Sequence, residues 1–190
     1  MSEYVKDKNP RSKNRIHVVH RLDRDTSGVL LFSKSEELKN LLQEAWEKVE
    51  KKYYTVVTGK LSKKESIVSS YLMENKAMFV YSTKKKGEGK FSETKYRVLA
   101  ESNKFSLLEI QLLTGRKNQI RVHMQDIGHS VLGDRKYGGA EFRRLMLHSH
   151  SLRFPNPNSE EDILIQSPIP KEVLALFPNF VSETKPPDGF

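Results

Sequence analysis

The sequence predicts a strand-rich α+β domain with two main helices. Three observations carry that prediction. Between Lys51 and Leu113, apolar residues recur in short, often alternating runs broken by glycine or polar turns, as in antiparallel strands. Two other stretches, 35–49 and 119–128, space their apolar residues three and four apart, as helices do. The 190-residue chain shows no internal repeat, no heptads and no shift of composition, so 1–190 is read as one domain.

The elements follow in order. Residues 1–15 are a basic, polar lead-in, and a short strand is expected over Ile16–Val19. The apolar run "VLLF" then predicts a buried strand over Val29–Ser33. Ser35 is placed to cap a helix, with Glu36 and Glu37 in the first turn where the dipole favours acids. Leu38, Leu41, Leu42, Ala45, Trp46 and Val49 form its apolar stripe and are assigned to the core. "KKYYTVVTGKL", "SIVSSYL" and "AMFVYST" read as strands, the last followed by a flexible "KKKGEGK" loop. "SETKYRVLAE" and "KFSLLEIQLL" form a hairpin around Ser102–Asn103. Ile120, Met124 and Ile127 share one helical face, ended by Gly128. A Gly-rich loop, the strands "LMLHSHSLRF" and "EDILIQS", and the short helix "KEVLALF" complete the fold, with a loose tail over 179–190.

Composition limits the function. Hydrophobic residues make up 36%, charged residues 30%, and the net charge is +9. Such an excess suits a polyanionic partner such as nucleic acid, although it also serves solubility. With no cysteine, disulfides and thiolate zinc sites are excluded. No run approaches the roughly 20 apolar residues of a membrane span, and "MSEYVKDKNPRSKNR" lacks the apolar centre of a signal peptide. The expectation is a cytoplasmic protein.

The polar loop "VHRLDRDTSG", 19–28, is the densest cluster of chemistry in the chain. Asp23 and Asp25 are open to three readings: a carboxylate pair for hydrolysis, a lone nucleophile or base at Asp23, or aspartates that turn the loop. Asp25 fits the turn. Asp23, crowded by arginines that would keep it ionised, fits the chemistry. Arg116, Lys117 and Arg121 surround the start of the second helix, where free N–H groups and basic side chains favour a phosphate or a carboxylate. Tyr53 and Tyr54 point to opposite faces of a strand beside lysines, so one can face a groove and stack on a base. The six histidines include no helical pair at i, i+4 and no completed ligand spacing, so no metal is expected. No dinucleotide or Walker fingerprint is present, and no cofactor is expected.

"HRLDRDTSG", "KKYYTVVTG", "TGRKNQIRVHMQDIGHSVLGDRKYGG" and "LMLHSHSLRFPNP", in that order over roughly 16–155, resemble the RluA-type RNA pseudouridine synthases. The resemblance implies a mixed, mostly antiparallel sheet with a central cleft, and an RNA isomerase working without metal or cofactor on ribosomal or transfer RNA. It implies that Asp23 is catalytic, that Tyr53 stacks on the target base, and that Arg121 pairs with the catalytic carboxylate. Arg21 would fill the gap left by an everted uridine, and Arg116 would contact phosphate. Loops such as "KKKGEGK" and "GGAEFRR" would touch phosphates without reading bases.

Two departures stand out. The family's upstream "KPxG"-like strand has no match in the residues before His17, which predicts an unpaired sheet edge. Asn118 replaces a common histidine. A non-catalytic RNA-binding protein and a hydrolase using Asp23 and Asp25 are the competing readings.

Overall fold

The computed structural model describes residues 15–156 and 159–181. The lead-in and most of the tail named above fall outside them. The described elements are β1 (His17–Val18), β2 (Ser27–Gly28), β3 (Phe32–Ser33), α1 (Glu36–Glu44), a 3₁₀ turn (Trp46–Lys48), β4 (Glu50–Thr58), β5 (Glu65–Glu74), β6 (Val80–Thr83), β7 (Lys90–Glu101) and β8 (Phe105–Leu112), then α2 (Gln119–Asp126), β9 (Leu147–Pro155), β10 (Asp162–Gln166) and α3 (Lys171–Leu176). The fold is α+β, and the main sheet runs β10-β9-β4-β8-β7-β5-β6. Every pairing along that path is antiparallel, while β2 lies parallel against β9.

Both sheet faces are covered, which is why the central strands carry apolar residues on both sides. On one face Val57, Leu108 and Ile110 meet Ile120 and Met124 of α2. On the other, Val56 and Leu107 meet Val173 and Phe177 at α3. Burying Ile120 and Met124 stabilises by about 1.5–3 kcal/mol each, and this clamps the start of α2 against the sheet. A third cluster packs Val19, Val29 and Leu42 on Leu152 and Phe154.

Two expectations need correction. The strand over Val29–Ser33 is only the pair Phe32–Ser33, and Leu30 is exposed. Backbone groups here bond to neighbours outside a ladder: the Val29 N–H donates to the Ser149 carbonyl, and the Leu31 N–H to Nε2 of His20. In α1, capped by Ser35 as expected, Leu42 is buried but Leu41 is 54% exposed. The helix stops at Glu44, so only the inward turn of the stripe reaches the core.

Candidate active site

Asp23 sits in the loop between β1 and β2. Its carbonyl accepts the Thr26 N–H at 3.1 Å, closing a turn in which Asp25 takes a left-handed φ of 71°. Asp25 is exposed and paired with Arg24 at 3.8 Å, so the two aspartates do not form a carboxylate pair in one site. The loop's far end is fixed by Gly28. A Cβ there would lie 2.1 Å from the Ser149 carbonyl oxygen, and φ is +113°, so glycine alone lets β2 lie against β9. Ser27 adds a side-chain hold, accepting from Arg144 Nη2 at 2.8 Å and lying 2.9 Å from His148 Nδ1.

The half-buried Asp23 carboxylate faces the start of α2, where Oδ2 accepts the Asn118 backbone N–H at 3.0 Å. Asn118 caps the helix in the left-handed conformation, φ 54° and ψ 16°. The anion expected at this helix start is therefore the protein's own carboxylate. The neighbouring Arg116 N–H is also committed, to Oε1 of Gln119 at 2.9 Å.

Arg121 requires a correction. Its guanidinium does not pair with Asp23. It grips Asp134 through two 2.7 Å hydrogen bonds, from Nε to Oδ2 and from Nη2 to Oδ1. Asp134 is fully buried and also accepts the Lys136 and Tyr137 backbone N–H groups, each at 3.0 Å. Two buried opposite charges in fork geometry satisfy each other better than a cleft-lining carboxylate could. The remaining Arg121 nitrogen, Nη1, donates to the Asn118 side-chain oxygen at 3.2 Å, and Asn118 Nδ2 donates to the Tyr137 hydroxyl at 3.1 Å. Arg121 thus reaches Asp23 through Asn118 and at longer electrostatic range.

This arrangement alters the expected charge state. Burial raises the Asp23 pKa above the ordinary aspartate value. The Asn118 N–H, and then the charges of Arg121, Arg21 and Lys117, oppose that rise without cancelling it. The arginine crowd does less than its sequence proximity suggests, because Arg21 and Arg24 are exposed and Arg121 is committed to Asp134.

Asp23 opens into a cavity of about 410 Å³ that is also lined by Arg21, Tyr53, Trp46, Lys51, Arg116 and Lys117, among others. Tyr53 lies on the cleft side of β4, and Tyr54 faces the opposite side of the sheet. The Tyr53 phenol is pushed up to about 12, chiefly by burial and further by the Asp23 charge, with the Ser149 hydroxyl working against them. It stays neutral and offers a flat ring. Trp46, expected as core, does pack partly on the third cluster, but its ring also walls the cleft, stacked on His20 at 4.7 Å. The buried Lys51 ammonium donates to the Trp46 carbonyl at 3.2 Å and sits 5.5 Å from the Trp46 ring. The buried Thr26 hydroxyl, on the same wall, has no partner among the described residues.

At the rim, Arg21 and Arg116 are exposed, and Arg116 Nε donates to the Phe91 carbonyl at 3.4 Å. Lys117 is ion-paired with Glu74 across the β5 end. A larger cavity of about 920 Å³ lies on the opposite sheet face, but its charges pair with one another, as in Arg97–Glu109 at 3.2 Å and Lys52–Glu50 at 3.4 Å. Among the described residues, no group of three or more histidines and carboxylates could hold a metal. None of the described helices is long and apolar enough to cross a membrane.

Sequence reasoning missed Trp46, Thr26 and Asn118. Only Asn118 left a signal, since asparagine just before a helix is a residue that tolerates positive φ.

Residues 3–126 match the model of the RNA pseudouridylate synthase family. Over 165 residues the chain is 35% identical to ribosomal large subunit pseudouridine synthase C of Vibrio cholerae, covering 81% of this chain and 52% of that protein. It is 33% identical over 165 residues to the uncharacterized RNA pseudouridine synthase YjbO of Bacillus subtilis, covering 85% and 58% respectively. The chain spans about half the length of the curated relatives it matches. Among solved structures, human RNA Pseudouridylate Synthase Domain Containing 1 superposes with a TM-score of 0.74 at 25% identity, covering 86% of this chain and 71% of that one. Human RNA Pseudouridylate Synthase Domain Containing 4 shares the fold, with a TM-score of 0.77 at 21% identity over 91% of this chain and 78% of that one. The sheet, the cleft and the family match over the first two-thirds of the sequence agree: the chain belongs to the RNA pseudouridylate synthase family.

Proposed function

We propose that this chain isomerises uridine to pseudouridine within RNA, with Asp23 as the catalytic residue. One observation carries the reading: a half-buried carboxylate, held by the Asn118 N–H at 3.0 Å, faces a cleft shared with the Tyr53 ring and a basic rim. Ribosomal RNA is the substrate class favoured by the names of the relatives, one of them ribosomal large subunit pseudouridine synthase C of Vibrio cholerae. Transfer RNA is the second candidate.

The chemistry breaks the uracil N1–C1′ bond and forms C5–C1′. N1 gains a proton and C5 loses one, so no oxidant or cofactor is required. A base inside folded RNA must first leave its stack. Asp23 then either attacks C1′ or removes the C2′ proton, and both roles need the ionised form. The neutral Tyr53 ring stacks on the detached base while it turns. Arg21 fills the vacated place in the RNA, and Arg116 and Lys117 meet phosphates. Arg121 is a positioning residue that orients Asn118.

RNA tritiated at uridine C5 tests the proposal. The wild-type chain should release tritium to water, and Asp23→Asn should bind the RNA without release. Release by Asp23→Asn, or none from the wild type on total ribosomal and transfer RNA, overturns it.

A further inference from the structure

Beyond the Arg116–Lys117 rim lies a second groove of about 430 Å³, which shares Gly115, Arg116 and Lys117 with the cleft. We infer that the RNA strand flanking the everted nucleotide leaves the cleft over the Gly115–Lys117 turn and runs into this groove. The inference rests on reading the cleft as an RNA site.

Three observations carry it. The first is continuity, since the same turn, Gly115 to Lys117, lines both cavities. The second is the floor. Leu72, Met73 and Val80 line it; Leu72 and Val80 are nearly fully buried, so the apolar surface left open comes mainly from the half-buried Met73. A flexible, polarizable methionine side chain packs favourably on an aromatic ring such as the face of a base.

The third is charge. The loop 84–90 flanks the groove through Gly89 and Lys90. Gly89 has φ +88°, and a Cβ there would lie 2.6 Å from the Leu72 carbonyl oxygen, so glycine lets this loop press onto β5. That approach sets Lys90 in the groove lining, and Lys84 and Lys86 lie on the same loop; all three are exposed and none is ion-paired among the described residues. Lys85 is tied to Glu88, and Lys117 to Glu74. Cations outnumber the carboxylates Glu74 and Glu88 around the groove, and the three unpaired ones are the natural contacts for successive phosphates.

The test uses the full chain and two probes, oligouridylates of three and fifteen nucleotides, with binding followed by fluorescence anisotropy across a range of KCl. Replacing Lys84, Lys86 and Lys90 together by glutamine should weaken binding of the long probe. The slope of log K against log salt should fall by about 2, since each single-strand phosphate contact contributes about 0.7. Binding of the short probe should not change. A control replaces Lys60, Lys63 and Lys104, equally exposed, by glutamine; it removes the same charge and should leave the slope intact. An unchanged slope in the first triple variant, or an equal fall in both, overturns the groove. Binding needs no turnover, so absent tritium release would defeat the isomerase reading alone. A failed slope test with intact release would defeat the groove alone.

Discussion

Asn118 offers the sharpest test of how the site is held. It is 5% exposed and sits in the left-handed region at φ 54°. Its side chain accepts from Arg121 at 3.2 Å and donates to Tyr137 at 3.1 Å, while its backbone N–H holds Asp23 at 3.0 Å. Asn118→Gly keeps the backbone geometry but removes both side-chain bonds. One is to a charged donor, worth about 1.5–3 kcal/mol, and one is neutral, worth about 1 kcal/mol. The expected loss is about 2.5–4 kcal/mol. Asn118→Ala removes the same bonds and adds a left-handed alanine, which costs about 1–2 kcal/mol, partly offset by alanine's smaller loss of chain entropy. Alanine should therefore be less stable than glycine by about 0.5–1 kcal/mol. That is the reverse of their order inside a right-handed helix, where glycine is worse by about 1 kcal/mol. Urea unfolding of the two variants at equal m-value reads this difference directly. Tritium release should follow the same order, because glycine leaves the N–H aimed at Asp23. An alanine variant as stable and as active as the glycine one would refute the claim that this backbone geometry holds the carboxylate.

The remaining predictions concern charge. Asp134→Ala strands the buried Arg121 guanidinium and should destabilise the fold by about 3–5 kcal/mol in urea unfolding; a loss under 1 kcal/mol would mean that the pair is not the anchor described. The acid limb of tritium release should lie above the ordinary aspartate range, because burial raises the Asp23 pKa, and Arg21→Gln should move it further up by removing an opposing charge; a limb that moves down refutes the assignment. The same shift has a stability sign. The folded state holds the Asp23 proton more tightly than the unfolded chain, so this contribution is full at low pH and is lost as pH rises through the folded pKa. Asp23→Asn should therefore raise Tm at pH 7 relative to wild type, and a lowered Tm contradicts the burial argument.

The local hairpins, β5 with β6 and β7 with β8, were legible because each joins strands that follow one another in the chain. The Ser35 cap and the α2 face were legible for the same reason, since caps and helical periodicity are short-range signals. The loop that carries Asp23 was legible as chemistry but not as structure. Its shape is set by β2 lying parallel on β9, where Ser27 meets His148 from 121 residues away. The misread "VLLF" strand has the same cause, because its backbone bonds go to Ser149 and His20 rather than to a ladder. Trp46 read as core because its spacing continues α1, but the 3₁₀ turn after Ala45 leaves its ring on the cleft wall. The resemblance assigned Arg121 to Asp23, and no local pattern reveals that Asp134, in a Gly-rich loop, is its buried partner.

That last pairing changes how the carboxylate stays ionised during the proposed reaction. With Arg121 held by Asp134, the support for the Asp23 negative charge comes first from the Asn118 N–H, then from Arg121 at longer range, and last from two cations that can move, Arg21 and Lys117. The two cations stand at or near the rim, where arriving phosphates compete for them, and Lys117 is already shared with Glu74. RNA binding therefore draws support away from the carboxylate just as it excludes water and raises the cost of the charge. A carboxylate under those conditions is a stronger base and a stronger nucleophile. The Asn118 N–H is different in kind. It is a fixed dipole at a helix start, clamped by Arg121 and Tyr137 on its own side chain, and no phosphate can draw it away. The site accordingly depends on this backbone group more than on any guanidinium, and after Asp23 itself the backbone geometry of Asn118 matters most to the chemistry.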